Sequence, residues 1–352
     1  MQNEILLSAV DPLCDWYEKN KKQYPWRESR DAYRIWISEV MLQQTRTAAV
    51  IPYYERFLSA FPTVEALASA PDDLLMKLWE GLGYYSRARN LKKGAMQVME
   101  RFGGALPKTK AELKTIAGIG DYTAGAIASM AFFEPASAVD GNVLRVCMRL
   151  LGSDADISKE QTKRSLAAML DAVYPSGARA ALFTEGLMEL GEAVCIPGGE
   201  ARCSLCPLAA LCEARAGGIT HLLPAKSAKK PRKILKRTLF LFRYGDRYGV
   251  RKRPESGLLA GLYEFAAEDA ALSEEEARAL LLAKGIAFSS LTAVGEATHI
   301  FTHLEWQMTG YLVTLEKELD GLIFATVDEL STLYALPSAF RFFKKAIGIE
   351  KA

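Results

Sequence analysis

Nothing in this chain of 352 residues is present in the excess that would announce a class by itself. There is no apolar run long enough to cross a bilayer, which argues against a helical membrane protein. The opening Met-Gln-Asn-Glu lacks a basic stretch followed by an apolar one, so no secretory signal is expected and the expected compartment is the cytoplasm. No internal repeat is evident, which argues against a solenoid or a propeller. Charge of one sign is also missing. The net charge is +2, so any surface for a polyanion must come from local clustering of charge. What is plentiful is apolar: 50% of residues are hydrophobic, and at this length two cores are expected rather than one.

From residue 1 to 222 the pattern is helical. Apolar residues recur at three- and four-residue spacing in segments starting near Ile5, Ile35, Val64, Leu74, Leu91, Ala111, Ala124, Val143 and Leu166. Thr109 with Glu112 reads as a capping box, and Pro71-Asp72 opens another helix. Lys226, Lys229, Lys230, Arg232, Lys233, Lys236 and Arg237 then crowd around Pro231, and residues 223–236 are expected to be a solvated basic linker. Residues 237–352 read as a small α+β domain. Thr238–Tyr244 and Tyr248–Arg253 flank a Gly245-Asp246 hairpin turn, and a helix capped by Ser273 and Glu276 runs to about Lys284. Strands are expected over Ala297–Thr302 and Glu305–Leu315, with a last helix near Ser338–Ile347.

Cysteine is scarce, at six, but unevenly spread. Cys14 and Cys147 sit alone among apolar residues, while Cys195, Cys203, Cys206 and Cys212 crowd one short stretch. In a reducing compartment such a cluster reads as metal-binding rather than as a disulfide framework. One C-x-x-C pair with two unequal single arms departs from the paired knuckles usual for zinc. It is closer to the way chains wrap a cubane iron–sulfur cluster. Zinc, or four buried thiols with no metal, are the alternatives.

Leu113 to Ala126 reads as helix, glycine-pinched turn, helix. Gly118 and Gly120 allow a sharp turn and close approach, and the amides opening the second helix, at Tyr122, favour an anion such as a DNA phosphate. Two carboxylates share this helical half. Glu39 has Trp36, Leu42 and Gln43 at helical spacing; desolvation there would raise its pKa and suit it to general acid catalysis, unless it is a surface residue or pairs with Arg34. Asp140 precedes a helix and is expected to cap it, keeping a low pKa and staying ionised. One protonated and one ionised carboxyl group are what cleavage through an oxocarbenium-like state requires.

Six segments and the four cysteines together resemble the adenine DNA glycosylase (MutY) family of the helix-hairpin-helix glycosylases, over nearly the whole chain. They are Pro25-Trp26-Arg27, Ser38–Thr45, Gly81–Tyr85, Gly118-Ile119-Gly120, Val139–Asn142 and, further on, Gly257–Phe265. The resemblance implies a multidomain protein: an all-α helix-hairpin-helix glycosylase domain with an iron–sulfur loop, plus a C-terminal α+β Nudix-like domain. It implies a 4Fe-4S cluster on Cys195, Cys203, Cys206 and Cys212. It also implies a monomer acting on double-stranded DNA with adenine opposite 8-oxoguanine or guanine, in the cytoplasm (with the nucleoid, if bacterial). Glu39 would protonate the flipped adenine at N7, and Asp140 would stabilise the sugar cation. Tyr122 and Asn142 would support them, while Trp26, Arg27 and Glu189 would line the adenine pocket. Gln44, Thr45, Leu82 and Tyr84 would fill or wedge the duplex, Tyr84 having a packed core tyrosine as its alternative.

In the second domain, Phe301-Thr302-His303 resembles the family's F-S-H loop with threonine for serine. A hydroxyl can accept the N7–H of 8-oxoguanine, where guanine N7 is itself an acceptor. His303 would meet phosphate, or else pack on Trp306. The helix Glu276–Lys284 lacks the acidic R-E-x-x-E-E pattern of a working Nudix hydrolase, which argues against a magnesium-dependent diphosphatase. Two departures from the family stand out. The first cysteine arm has seven residues where the family has six, an extra residue that Gly198 and Gly199 could absorb as a bulge. Related strand-cleaving glycosylases of the endonuclease III type carry a lysine where this chain has Tyr122, so base removal without strand cleavage is expected. The competing readings are an endonuclease III-like enzyme for oxidised pyrimidines and a non-catalytic lesion-binding protein.

Overall fold

The computed structural model describes residues 2–198, 200–228 and 231–349, in two compact units. The first comprises Met1–Ser69 and Arg89–Ala228; the second, Ala70–Ala88 and Lys229–Ala352. The segment Ala70–Ala88 therefore groups with the second unit, which differs from the single helical domain expected over 1–222. Among the described residues no helix is long and apolar enough to cross a membrane.

In chain order the helical part carries α1 (Gln2–Asn20), α2 (Ala32–Leu42), α3 (Thr47–Ala60), α4 (Val64–Ala68), α5 (Asp72–Leu78) and α6 (Ser86–Phe102). It continues with α7 (Lys110–Leu113), α8 (Asp121–Phe132), α9 (Gly141–Leu150), α10 (Glu160–Asp171), α11 (Ala178–Ala193) and α12 (Glu213–Ala216). Each of the nine expected helical segments lies in one of these. Periodicity does not reveal α3 or α11. The second of these is buried on several faces at once, with Thr184, Glu185 and Glu189 among its buried residues, so polar residues interrupt any apolar stripe. Residues of α1, α9, α10 and α11 share one core, with Leu13, Cys14, Val146, Leu166, Phe183 and Leu187 at its centre. Thr109 caps α7 through the Glu112 amide, while the Glu112 carboxylate takes the Thr109 hydroxyl instead of closing the capping box on the backbone.

The second unit holds β1 (Lys233–Tyr244), β2 (Arg247–Lys252), β3 (Tyr263–Glu264), β4 (Ala266–Glu268), α13 (Glu274–Ala283), β5 (Phe288–Ile300), β6 (Leu304–Leu315), β7 (Ile323–Thr326), α14 (Val327–Thr332) and α15 (Arg341–Ala346). The sheet runs β3-β2-β1-β6-β5, with β1 parallel to β6 and the other pairs antiparallel. One face packs Trp306, Phe340 and Phe343; the other packs Phe240, Phe242 and Tyr311 against Ala277 and Leu281 of α13. The Ser273–Glu276 capping box forms as expected.

The solvated linker requires a correction. Strand β1 starts at Lys233, not Thr238, because Lys233–Arg237 pairs in register with Leu304–Met308. Arg237 is buried, its guanidinium 4.3 Å from the Trp306 ring and bonded to Asp269 at 2.9 Å. Lys229 and Lys230 lie outside the described residues. Strand β5 is also longer than expected and ends at Ile300, so Phe301-Thr302-His303 is the turn joining β5 to β6.

Candidate active site

The first unit contains a cleft of about 1130 Å³ where five pieces of chain meet. The turn Pro25–Arg27 brings Trp26 and Arg27, and the end of α2 brings Ser38, Glu39 and Leu42. The Gly118–Thr123 turn and the start of α9 add Tyr122, Asp140 and Asn142, while α11 adds Glu185 and Met188. Asp31 starts α2 by accepting the Arg34 amide, and eight residues later, about two turns on, Glu39 faces the cleft.

Glu39 is 4% exposed, and it is not a surface residue paired to Arg34. Burial pushes its carboxyl from 4.5 up to about 7, with the Asp140 charge adding to the rise. The Tyr122 hydroxyl opposes that rise by donating to Oε2 at 2.6 Å. A carboxyl poised near neutrality can hold a proton and release it to a weakly basic leaving group.

Asp140 is the N-cap of α9, as expected, its Oδ1 accepting the Val143 amide at 2.7 Å. Asn142 donates to Oδ2 at 3.0 Å. The expected low pKa is not met. Burial raises it, outweighing the Val143 and Asn142 hydrogen bonds that favour the anion. Arg145 in turn donates to Asn142 Oδ1 at 2.9 Å, to the Gly191 carbonyl at 2.7 Å and to the Cys195 carbonyl at 2.7 Å. Gly191 lets α11 approach closely here, since a Cβ would stand 2.7 Å from that of Asn142.

On the far wall, Glu185 lines the cleft and takes Arg30 at 2.7 Å. Glu189, expected to line the pocket, instead lies behind that wall, buried between Arg27 at 2.6 Å and Lys22 at 3.0 Å, and reaches the cleft only through Arg27. Arg27 also lies 5.0 Å from the ring of Tyr24, which stacks on Trp26. The cleft thus combines an aromatic wall, a fixed guanidinium and two buried carboxyl groups. It suits a flat heteroaromatic base beside a developing cation.

Residues 37–171 match the HhH-GPD superfamily of base excision DNA repair proteins, and residues 238–346 match the NUDIX domain family. The adenine DNA glycosylase of Homo sapiens is 35% identical over 366 residues, spanning 87% of this chain and 67% of that protein. The one from Buchnera aphidicola (Acyrthosiphon pisum strain) is 31% identical, spanning 86% of this chain and 85% of its own. The chain belongs to the adenine DNA glycosylase family.

Among solved structures, a thermostable thymine-DNA glycosylase superposes with a TM-score of 0.56 at 26% identity, covering 61% of this chain and 98% of its own. An endonuclease III in a non-covalent DNA complex shares the fold, with a TM-score of 0.52 at 22% identity over 62% of this chain and 99% of its own.

The remaining residues suggested by the family resemblance fall into three groups. At the hairpin, Gly118 has φ +79° and packs on Asn90, where a Cβ would sit 2.7 Å from the neighbouring Cβ. Gly120 is extended, a conformation open to any residue, and precedes α8 with open space around it. The side chain of Tyr122, expected at phosphate as well as in catalysis, is committed to Glu39, so only its backbone amide remains for an anion. Gln44, with φ +57°, and Thr45 both line the cleft.

In the second unit Tyr84 is 45% exposed with φ +47°, which excludes the packed core alternative. Leu82, expected at the duplex, is instead buried at 7% exposure, because the turn directs it inward. Thr302 and His303 are exposed; the ring meeting Trp306 is that of Phe301, at 4.9 Å, rather than His303. Tyr84 and Thr302 share a hydroxyl–hydroxyl hydrogen bond of 2.9 Å.

The four clustered cysteines line one cavity with Val146, Leu150, Leu190 and Leu208. Arg149 lies 3.3 Å from Cys195 Sγ and donates to the Ile196 carbonyl at 3.0 Å. Burial pushes the Cys206 thiol up to about 11. Gly198 has φ +68°, which suits a bulge; Gly199 lies outside the described residues.

Sequence reasoning does not single out Arg145, Arg149, Glu185 or Lys22. The available signal was two arginines one turn apart on α9, a helix in which every residue from Val143 to Leu150 is buried. Buried arginines at that spacing must find carbonyl or carboxylate partners.

Proposed function

We propose that this chain removes adenine lying opposite 8-oxoguanine or guanine in duplex DNA by hydrolysing its N-glycosidic bond, and leaves the strand intact. The observation that carries this is Glu39, buried on the Tyr122 hydroxyl with its carboxyl pushed up to about 7, in one cleft with Asp140, which caps α9 and is hydrogen-bonded. In this mechanism the extruded base enters the cleft against Trp26 and Arg27. Glu39 gives its proton to the N7 edge of adenine, making the base a neutral leaving group. Positive charge then builds on the sugar. A carboxylate about 4 Å from a unit cation is worth about 4 kcal/mol at an effective dielectric near 20, and Asp140 supplies it. Water adds to the sugar cation and gives up a proton to the Glu39 carboxylate, which completes hydrolysis and restores the acid. A phenol, not an amine, stands at position 122, which supports base removal without a Schiff base and strand cleavage.

The second unit reads the opposite base in this proposal. Thr302, exposed on the β5–β6 turn with its hydroxyl bonded to Tyr84, offers an acceptor to the N7–H that distinguishes 8-oxoguanine from guanine. The residues at Cys195, Cys203, Cys206 and Cys212 fit a 4Fe-4S cluster. They share one largely apolar cavity, and a buried thiol with its pKa pushed up to about 11 favours thiolate only beside a strong positive charge. A cubane takes one thiolate at each iron, and the four cysteines supply that number. When bound, the cluster would cross-link the loop that follows α11. The protein would act as a monomer in the cytoplasm, at the nucleoid if bacterial.

A base-release assay on duplexes carrying adenine:8-oxoguanine, adenine:guanine and thymine glycol tests this function. Adenine release from both mispairs, with no strand break before alkali, is the expected result. Release from thymine glycol alone would establish the endonuclease III-like reading, and tight binding without release the non-catalytic one.

A further inference from the structure

The second unit holds a partly buried cluster of charge that plays no part in the chemistry above. Glu80, just after α5, accepts from Lys77 at 2.6 Å through one carboxylate oxygen and from Lys344 of α15 at 2.5 Å through the other. Lys344 is 5% exposed and also donates to the Leu336 carbonyl at 3.3 Å. Lys77 reaches the carbonyls of Tyr334 at 3.1 Å and Leu330 at 3.4 Å. Lys344 is buried while Lys77 and Glu80 are half-buried; desolvating charge in this way is costly, and an apolar replacement of similar volume is often as stable. What such a cluster supplies is registry: the placement of Ala70–Ala88 seen here brings Glu80 to both lysines at once.

The turn that follows is tied by side-chain hydrogen bonds to its carbonyls. Immediately after Glu80 come Gly81 at φ +104°, Gly83 at φ +72° and Tyr84 at φ +47°. Trp79 Nε1 donates to the Gly83 carbonyl at 3.1 Å, and Arg87 donates to the carbonyls of Leu82 at 3.1 Å and Gly83 at 3.0 Å. The Arg87 guanidinium also lies 5.6 Å from the Tyr84 ring centre. The exposed end of this turn is the Tyr84 hydroxyl, 2.9 Å from Thr302 Oγ1.

We propose that Glu80 is a positioning residue for lesion recognition: by bridging Lys77 and Lys344 it registers the turn that carries Tyr84, and so orients the Thr302 hydroxyl. This inference rests on the reading that Thr302 contacts 8-oxoguanine. Either hydroxyl can donate in this bond; with Thr302 as donor its oxygen is left as an acceptor only. A hydroxyl free to rotate presents donor and acceptor alike, and no longer prefers the N7–H of 8-oxoguanine to the bare N7 of guanine. Loosening the turn should therefore erode discrimination without touching the chemistry.

The test compares Glu80→Gln, Lys344→Met, Tyr84→Phe and the double variant Glu80→Gln/Tyr84→Phe. The readout is the ratio of dissociation constants for duplexes with adenine opposite 8-oxoguanine and opposite guanine, measured in a Glu39→Gln background so that substrate persists. Loss of one oriented hydrogen bond predicts that Glu80→Gln and Lys344→Met each shrink the ratio about fivefold. With Glu39 present, single-turnover release from adenine:guanine stays within about twofold of the parent. The double variant is no worse than Tyr84→Phe alone. A merely structural role lowers thermal stability and weakens both duplexes equally; an unchanged ratio in a folded variant, or losses that multiply in the double variant, overturns the inference. If either neutralised variant does not fold, Glu80→Asp, with the charge kept and the reach shortened, supplies the same comparison. A parent protein with no preference for 8-oxoguanine sinks the lesion reading together with this inference. A parent with the preference and an unaffected Glu80→Gln sinks the inference alone.

Discussion

Replacing Glu39 by Gln should make the protein more stable above neutral pH while disabling it. Burial raises the Glu39 pKa from 4.5 to about 7, so the folded state binds its proton more tightly than the unfolded chain does. Between those values the native state holds more protons than the unfolded state, and stability must fall as pH rises. Below about 4.5 both states are protonated and no penalty exists; above about 7 it is present in full. At 1.36 kcal/mol for each pKa unit the difference comes to about 3 kcal/mol. A glutamine keeps the shape and can still accept from the Tyr122 hydroxyl, but it never ionises. For a folding unit of roughly 200 residues, 3 kcal/mol corresponds to about 6–12 °C in Tm. Thermal denaturation of parent and Glu39→Gln at pH 5 and pH 8 reads this directly. The advantage of the variant should be small at pH 5 and should grow by about 5–10 °C at pH 8. Two curves that run parallel across that range would refute the buried, neutral-range carboxyl.

Three further outcomes follow from the same geometry. Tyr122→Phe removes the 2.6 Å hydrogen bond that favours the Glu39 anion, so the limb on which adenine release falls with rising pH should move upward by roughly one pH unit; a limb that stays put or moves down contradicts the assignment. Asp140→Asn should slow single-turnover release by about a thousandfold, the equivalent of about 4 kcal/mol, with duplex affinity kept; a loss under tenfold removes Asp140 from the chemistry. Cys203→Ala should lower iron content, visible absorbance and Tm together, whereas a colourless parent carrying stoichiometric zinc would overturn the iron assignment.

Much of the site was legible because its residues sit beside features with one physical meaning. Asp140 stands at a helix start and caps it, and Glu39 is surrounded by apolar residues at helical spacing and is buried. The sign of the Asp140 shift was not legible, because a cap position favours the anion and only the packed structure reveals that burial outweighs it. Leu82 was misplaced for a related reason. A leucine in a glycine-rich turn can point either way, and the positive φ angles at Gly81, Gly83 and Tyr84 direct it inward and Tyr84 outward. The linker failed as a pattern because Lys233–Arg237 is charged by composition, yet its backbone completes a parallel ladder with β6 and buries Arg237 over Trp306. The grouping of Ala70–Ala88 with the second unit goes with contacts such as the Glu80–Lys344 ion pair, between residues 264 positions apart, which no local pattern carries.

The most direct test of the account is the rate at which Glu39→Gln releases adenine from an adenine:8-oxoguanine duplex, at saturating enzyme and pH 7 in a single turnover. Loss of the proton donor predicts a rate about 10²- to 10⁴-fold below the parent, with a Kd within a few-fold of it. A variant that binds the duplex and still releases adenine within tenfold of the parent rate would contradict the claim that Glu39 supplies the proton.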